Sequence, residues 1–239
     1  MGPKKLVSKQ KLAATKVVAN TTIGNKKMQN ANLQARIFSK TDWASYYGQT
    51  EKLDPQIEEI MMSTCPFNKG KLVKDTHFAF IGMPAINDEP LTVAKWLEIH
   101  PADGQPKFYF NDSPWHVGQP HTDIAVLEPR LYIMLREIVP GSTRKTPEEQ
   151  VAMLPPEYEV PTTIAEVTKD ILVYRRTGKR CNGSYWAACS ERTVQTTQAS
   201  AGRVSCVGHF SEFGLDVYDW SGNQSGDVGV GASRKILVV

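Results

Sequence analysis

The segment from Arg203 to Ile236 limits the possible folds of this chain more than any other part of the sequence. It contains three short apolar blocks that are separated by turns rich in Gly and Ser, and small polar residues stand between the apolar ones. Alternation with a period of two predicts short β-strands with one buried and one solvated face. The blocks are Val204 with Cys206 and Val207, Leu215 with Val217 and Trp220, and Val228 with Val230.

The polar residues of this segment have the composition of a binding surface. They are rich in Ser, Asp, Asn and Tyr and poor in Lys. Small adaptable polar groups beside a few rigid aromatic rings are typical of a paratope. We expect Tyr218, Phe213 and His209 to be the anchors of such a surface. The candidate ligand-binding residues are Ser205, His209, Ser211, Phe213, Asp216, Tyr218, Asp219, Ser221, Asn223, Gln224, Ser225 and Asp227.

Length and composition place further bounds on the protein. A chain of 239 residues is long enough to bury a proper core, as one large domain or two modest ones. No apolar run approaches the length that crosses a bilayer, and the basic N-terminus lacks the apolar region of a secretory signal. We therefore expect a cytoplasmic protein without membrane insertion.

The spacing of the four cysteines fits none of the paired C-x-x-C patterns of zinc sites. We expect buried free thiols, and a disulfide among the last three is the alternative for an exported protein. The cysteines are Cys65, Cys181, Cys189 and Cys206.

Residues 1–40 form a basic block with nine Lys or Arg and no acidic residue. Subtracting this +9 from the net charge of +3 leaves −6 for residues 41–239. Such a block is typical of a solvated arm, or of a segment that contacts nucleic acid through its phosphates. In the second case the contacts would include Lys4, Lys5, Lys9, Lys11 and Lys16.

The middle of the chain predicts a mixture of helices and strands. Thr146 and Thr163 each precede a Glu at the spacing of a capping box, and the spacing of Leu127, Leu131 and Met134 indicates one buried helical stripe. The predicted strands cover 77–83 and 107–110, and the predicted helices cover 91–99, 128–138, 146–154 and 163–174, with a short helix after Asp54-Pro55.

No motif in the sequence indicates catalysis. His116 and His121 lie near Asp123 in a loop, but no further ligand has a supporting spacing for a metal. The glycine run of residues 225–233 lacks the Lys of a phosphate-binding loop, and the serines have no legible histidine–carboxylate partner. We therefore expect a protein that is not an enzyme and that needs no cofactor or metal.

Several short motifs between residues 155 and 236 resemble a known family. They are Pro161-Thr162 with Glu166, Tyr185-Trp186 with Cys189-Ser190, a Gly-Leu-x-Val strand and a final Gly-Val-x-x-Ser-Arg-Lys. Their order resembles the C-type-lectin-like fold of formylglycine-generating-enzyme-type domains and of the variable proteins of diversity-generating retroelements, and the likeness to the variable proteins is closer. The Pro-Thr to Glu spacing is one residue longer here than in the usual pattern.

The resemblance implies a fixed apolar scaffold that displays diversified polar positions, which would be drawn from the candidate ligand-binding residues. The scaffold would be Val204, Val207, Phe210, Gly214, Leu215, Val217, Trp220, Val228, Gly229, Val230, Ser233 and Arg234. An oxidase of the formylglycine-generating type is an alternative, and it would need a reactive cysteine pair.

Together these features predict an α+β protein with a C-type-lectin-like C-terminal domain of short irregular antiparallel strands and packed helices. The expected regions are a basic N-terminal arm (1–40), a helix-rich α+β region (41–155) and a ligand-display region (156–239). The expected function is recognition of an unknown protein or surface ligand. The alternative is a nucleic-acid-associated or scaffolding protein that acts through the basic arm.

Overall fold

One long helix packs against two β-sheets, and each sheet combines strands that are far apart in the chain. The computed structural model describes residues 37–39, 42–43, 57–100, 105–109 and 116–236. These residues belong to one compact unit that begins at Ile37. They form an α+β structure in which most strand pairs are antiparallel.

Among the described residues the strands are short, and one helix is much longer than the others. The strands are β1 (Ile37–Phe38), β2 (His77–Ile81), β3 (Ala85–Ile86), β4 (Glu89–Pro90), β5 (Leu131–Leu135), β6 (Tyr158–Glu159), β7 (Trp186–Arg192), β8 (Val204–Ser211), β9 (Gly214–Trp220), β10 (Val228–Val230) and β11 (Ser233–Arg234). The helices are α1 (Ile57–Met62), α2 (Val73–Thr76), α3 (Val93–Ile99), α4 (Pro120–Asp123), α5 (Pro147–Val151) and α6 (Thr163–Thr177).

The first sheet has the order β1-β2-β5-β11-β6, so strands from the middle and from the end of the chain share it. Strand β5 lies at its centre and pairs antiparallel with both β2 and β11. Met134 packs into the main core, whereas its neighbour Leu135 packs into a second cluster with Val139 and Tyr158. Strand β5 is therefore buried on both faces.

The prediction of a helix over residues 128–138 is wrong. A strand that is buried on both faces carries a continuous apolar run, and such a run also satisfies part of a helical stripe. Residues 132–135 are all buried, which agrees with a central strand. These residues form a strand and not a helix because β2 and β11 supply hydrogen-bonding partners on both of its edges.

The second sheet has the order β10-β7-β8-β9, and we call it the display sheet. Strands β7, β8 and β9 are antiparallel neighbours, whereas β10 runs parallel to β7. The three apolar blocks of the sequence are β8, β9 and β10, so the prediction of strands there is confirmed.

Helix α6 forms the centre of the core and contacts β2 as well as β7 and β8. The side chain of Thr162 caps it by accepting a hydrogen bond from Ala165 N at 3.4 Å, so the cap lies one residue before the predicted Thr163. Gly178 ends the helix with φ of 68°, a left-handed conformation that glycine adopts readily. Every residue from 163 to 173 is buried, including Glu166, Lys169 and Asp170.

Most other predicted elements are present with shifted ends. Helix α3 begins after the cap Thr92, and α5 has the predicted capping box between Thr146 and Glu149 but ends at Val151. The predicted strand at 107–110 is reduced, in its described part, to a single parallel bridge between Phe108 and Leu215. No helix of the described residues is long and apolar enough to cross a membrane. The five lysines predicted as possible nucleic-acid contacts, Lys4, Lys5, Lys9, Lys11 and Lys16, lie outside the described residues.

Candidate ligand-binding cleft

A row of three paired residues crosses the display sheet and forms the floor of a cleft. Trp186 on β7 lies opposite Gly208 on β8, and Gly208 lies opposite Asp216 on β9. Directly paired residues of an antiparallel sheet point to the same face. Gly208 has φ of 154°, and a Cβ atom there would come within 2.3 Å of Tyr185 O and 2.9 Å of Trp186 Cα. The centre of the row therefore has to be a glycine.

An irregularity in β8 positions His209 over this row. The pairing of β8 with β9 shifts between Gly208 and Ser211, and His209 has φ of 44°. The backbone N–H of His209 donates to Tyr185 O at 2.8 Å, which ties the irregular segment to β7. The imidazole consequently stacks on the Trp186 indole with ring centroids 4.6 Å apart and an angle of 9° between the planes.

The opposite wall comes from the middle of the chain. Leu215 N donates to Lys107 O, and Tyr109 N donates to Leu215 O, both at 2.8 Å. This close approach requires Gly214, because a Cβ atom there would lie 2.3 Å from Phe108 C and 2.4 Å from Tyr109 N. Tyr109 is thereby held beside β9 with half of its surface exposed.

These elements enclose a cleft of about 370 Å³, which we call the aromatic cleft. Its volume lies within the usual range of small-ligand sites, about 300–1,000 Å³. Among the described residues it is lined by one carboxylate and by no Lys or Arg. The lining residues are Tyr109, Trp186, His209, Ser211, Phe213, Gly214 and Asp216.

The carboxyl group of Asp216 is partly withdrawn from water. Burial raises its pKa above the usual range, and the neighbouring Trp186 N–H, His209 and the Val217 backbone N–H oppose part of this shift. Trp186 Nε1 is itself buried and makes no hydrogen bond of ordinary geometry within the described part of the chain. The cleft therefore contains a partly desolvated carboxyl group with a buried indole N–H beside it.

The structure brings together four of the twelve candidate ligand-binding residues in this cleft: His209, Ser211, Phe213 and Asp216. Tyr218 adjoins them, because its ring lies 5.6 Å from the ring of Trp186. Phe213 and Tyr218 are exposed over 65% and 43% of their surface, so the prediction that these two rings face solvent is confirmed.

The expectation that Ser205 faces solvent is wrong. Its exposure is 0%, and its Oγ accepts a hydrogen bond from Thr163 Oγ1 of helix α6 at 2.8 Å. Ser205 is two residues from Val207, which is also buried in the core, and alternation along a strand puts both on the same face. A small polar residue in this segment was thus assigned to the wrong side of β8.

The other six predicted residues do not line the cleft. Asp219 is paired with Arg203, with 2.8 Å between Oδ2 and Nε. The loop of residues 221–227 is held by bonds of its own, such as Trp220 Nε1 to Asn223 O at 2.8 Å. The six residues are Asp219, Ser221, Asn223, Gln224, Ser225 and Asp227.

Three cleft residues were absent from the predicted ligand-binding set: Trp186, Tyr109, and Gly214, which had been assigned to the scaffold. Trp186 belongs to the Tyr-Trp motif on which the family resemblance rests, so a signal for it was present. Tyr109 lies about a hundred residues before β9, and only the backbone pairing with Leu215 brings it to the site. The predicted scaffold is largely confirmed, since all its members are buried except the half-buried Arg234.

The four cysteines are buried and unbridged, as predicted. Cys189 lines a second cavity of about 240 Å³ together with Gln150 and Arg192. Burial raises the pKa of the Cys189 thiol well above its usual range, with further contributions from Glu166 and Glu191. A protonated, buried thiol is a poor nucleophile, which argues against an oxidase that uses a reactive cysteine pair.

The loop histidines are buried as well. Burial lowers the pKa of His116 to about 4, and it also lowers the pKa of His121, although Asp123 opposes both shifts. Within the described ranges, no group of three or more His, Cys, Asp or Glu side chains is arranged to hold a metal ion.

Comparison with protein-family models, curated proteins and solved structures finds no match for this chain. The structure itself defines, over the described residues, an α+β protein with an aromatic cleft on a four-stranded sheet.

Proposed function

We propose that this protein is a ligand-binding protein and that the aromatic cleft is its principal contact surface. The observation that carries the proposal is the convergence of Tyr109, Trp186, His209 and Phe213 around the single carboxylate of Asp216. Aromatic rings supply large contact areas at a small cost in side-chain entropy, and they dominate the energetic centres of binding interfaces.

The way in which the cleft is built also supports recognition. Close backbone contacts at Gly208 and Gly214 set the positions of the rings, while buried residues of the same strands form the frame. Because exposed substitutions usually change stability within about ±0.5 kcal/mol, such a frame tolerates replacement of the displayed side chains.

We also propose that the C-terminal region is a C-type-lectin-like display domain of the kind found in retroelement variable proteins. It is supported by the separation between a buried scaffold and the exposed residues His209, Phe213 and Tyr218. Its decisive test is genomic. We expect a near-copy of the codons for residues 184–234, differing at adenines, beside a reverse transcriptase gene. A locus without that copy would contradict diversification while leaving the cleft as a binding site.

A peptide library tests the binding function directly. Random twelve-residue peptides on phage are selected on the immobilised full-length chain, and enriched peptides are then measured on a Tyr109→Ala/Phe213→Ala variant. Both side chains are at least half exposed, so their loss leaves the core intact. We expect at least a tenfold loss of affinity.

Tyr185→Ala is the matched control, because Tyr185 is an exposed aromatic residue that does not line the cleft. Its affinity should stay within about twofold of wild type. If the enriched peptides bind the double variant as tightly as wild type, the cleft is not the binding surface. Binding that falls steeply with salt and disappears on deletion of residues 1–40 would instead favour the nucleic-acid alternative.

A further inference from the structure

The charges around the aromatic cleft are unbalanced. Among the described residues that line the cleft, Asp216 is the only Asp or Glu, and no Lys or Arg is present. Glu212, which is exposed in the turn between β8 and β9, adds a second negative charge nearby. Arg203 of the same sheet is engaged with Asp219, so it does not neutralise Asp216.

The aromatic groups of the cleft present ring surface close to this carboxyl group. Tyr109 and Phe213 are exposed over 50% and 65% of their surface, and the Trp186 ring carries His209 against it and Tyr218 beside it. The face of an aromatic ring attracts cations through its quadrupole, and the attraction is stronger where water is excluded.

Ligand classes differ in what they would do to Asp216. An apolar ligand would remove the remaining water from the Asp216 carboxyl group and supply no polar partner for it. An anionic ligand would be repelled by the charge of the carboxylate. An organic cation pairs with the carboxylate and contacts the ring faces at the same time. Its association also favours the ionised form of Asp216, which burial opposes.

From this combination of rings, carboxylate and volume, we propose that the aromatic cleft takes a protruding organic cation, an alkylammonium or guanidinium group, of its ligand. This inference rests on the proposed function, namely that the cleft is the ligand-binding surface. A cleft of about 370 Å³ accommodates the end of a Lys or Arg side chain or a trimethylammonium headgroup.

Pairs of isosteric probes test the inference on the full-length chain. The pairs are choline with 3,3-dimethyl-1-butanol, and N-acetyl-arginine methylamide with its citrulline counterpart. The readout is the indole N–H signal of Trp186 in a proton–nitrogen NMR spectrum, which is assigned by its loss in Trp186→Phe. We expect the cationic member of at least one pair to bind with a dissociation constant at least fivefold lower than its neutral isostere. A larger difference in affinity for the choline pair would indicate a trimethylammonium headgroup, and a larger difference for the arginine pair would indicate an Arg side chain.

Asp216→Asn removes the charge with almost no change in shape and should weaken the cationic probe at least fivefold. Asp88→Asn is the matched control, because Asp88 is exposed in the β3–β4 turn with φ of 64°, a conformation that Asn also adopts. It should change the affinity less than twofold.

Three results would overturn the cation assignment. Neutral isosteres that bind as well as the cations, or an Asp216→Asn variant with unchanged affinity, would leave the cleft as a binding site for another ligand class. Absence of any shift at Trp186 with all probes would also reject the assignment. The peptide selection then decides separately whether the cleft binds a ligand at all.

Discussion

The indole of Trp186 and the imidazole of His209 stack with their centroids 4.6 Å apart and their planes at 9°. The two residues are 23 positions apart in the chain and lie on neighbouring strands. Their stack depends on the backbone: Gly208 allows β8 to lie against Tyr185 O, and His209 adopts a positive φ of 44°. The architecture of the cleft is thus held by a few unusual backbone positions, which makes it testable by substitution.

Gly208→Ala should destabilise the protein by about 2–4 kcal/mol, because the new Cβ atom would overlap Tyr185 O at 2.3 Å in addition to the strain at φ of 154°. Urea denaturation measures the change in free energy of unfolding. Gly202→Ala is the control, since Gly202 has φ of 85° but no heavy atom within 4 Å of its added Cβ. It should cost only about 1 kcal/mol. Equal losses for the two variants would show that strain alone, and not the close approach, requires glycine at position 208.

Tyr218 and Trp220 should respond oppositely to truncation. Trp220 is 4% exposed, lies in a cluster with Val204 and Cys206, and donates from Nε1 to Asn223 O. Trp220→Ala should therefore cost about 3–5 kcal/mol. Tyr218→Ala removes a ring that is 43% exposed and should leave the melting temperature nearly unchanged. Calorimetry measures the melting temperatures of both variants, and similar values would contradict the assignment of Trp220 as a core residue and Tyr218 as an exposed one.

Lys169 should stabilise the folded protein by supplying the cation for the two buried carboxyl groups of helix α6, Glu166 and Asp170. Its Nζ contacts Glu166 Oε1 and lies 3.3 Å from Asp170 Oδ1, and all three side chains have no exposed surface. Burial raises the pKa of Asp170 to about 7, although the charge of Lys169 opposes this shift. Lys169→Met would leave two buried carboxyl groups without their cation and should cost about 3–5 kcal/mol in chemical denaturation.

A triple variant keeps this prediction falsifiable. Glu166→Gln and Asp170→Asn, combined with Lys169→Met, remove all three charges and should recover a large part of the lost stability. If the triple variant is less stable than Lys169→Met alone, packing rather than the unpaired charge accounts for the loss.

His77 should make the protein less stable in acid. Its Nδ1 lies 2.8 Å from Thr76 Oγ1, its Nε2 lies 3.1 Å from Tyr158 OH, and burial lowers its pKa to about 3. A histidine whose pKa is lowered by folding binds fewer protons when folded than when unfolded. Its contribution is therefore fully present above pH 6.5 and is lost as the pH falls from 6.5 towards 3.

His77→Gln should accordingly flatten the dependence of unfolding free energy on pH between 6 and 4. The difference approaches about 1.4 kcal/mol per pH unit, the value for one proton. Urea titrations at pH 7, 6, 5 and 4 measure the slopes of both proteins. The loss of the two hydrogen bonds appears as a constant offset at pH 7, so parallel curves would contradict the role of His77 titration.

The comparison of sequence and structure separates local from non-local information. The capping box between Thr146 and Glu149 was predictable, because the two residues act on backbone groups within three residues of themselves. Strand β5 was not predictable, because its apolar run also fits a helix, and only its pairing with β2 and β11 shows that it is a strand. Ser205 was misplaced for a related reason: β8 is buried on both faces, so the polarity of one residue did not indicate its side.

By itself, the sequence determined the strand-and-turn texture of the C-terminal segment, the exposure of Phe213 and Tyr218, and the burial of most of the frame beneath them. These properties follow from local alternation and from the cost of leaving apolar surface in water. Only the tertiary structure decided that Tyr109, Trp186 and Asp216 meet in one cleft. Such a meeting depends on pairing between strands that are distant in the chain, and a linear pattern carries no register for that pairing.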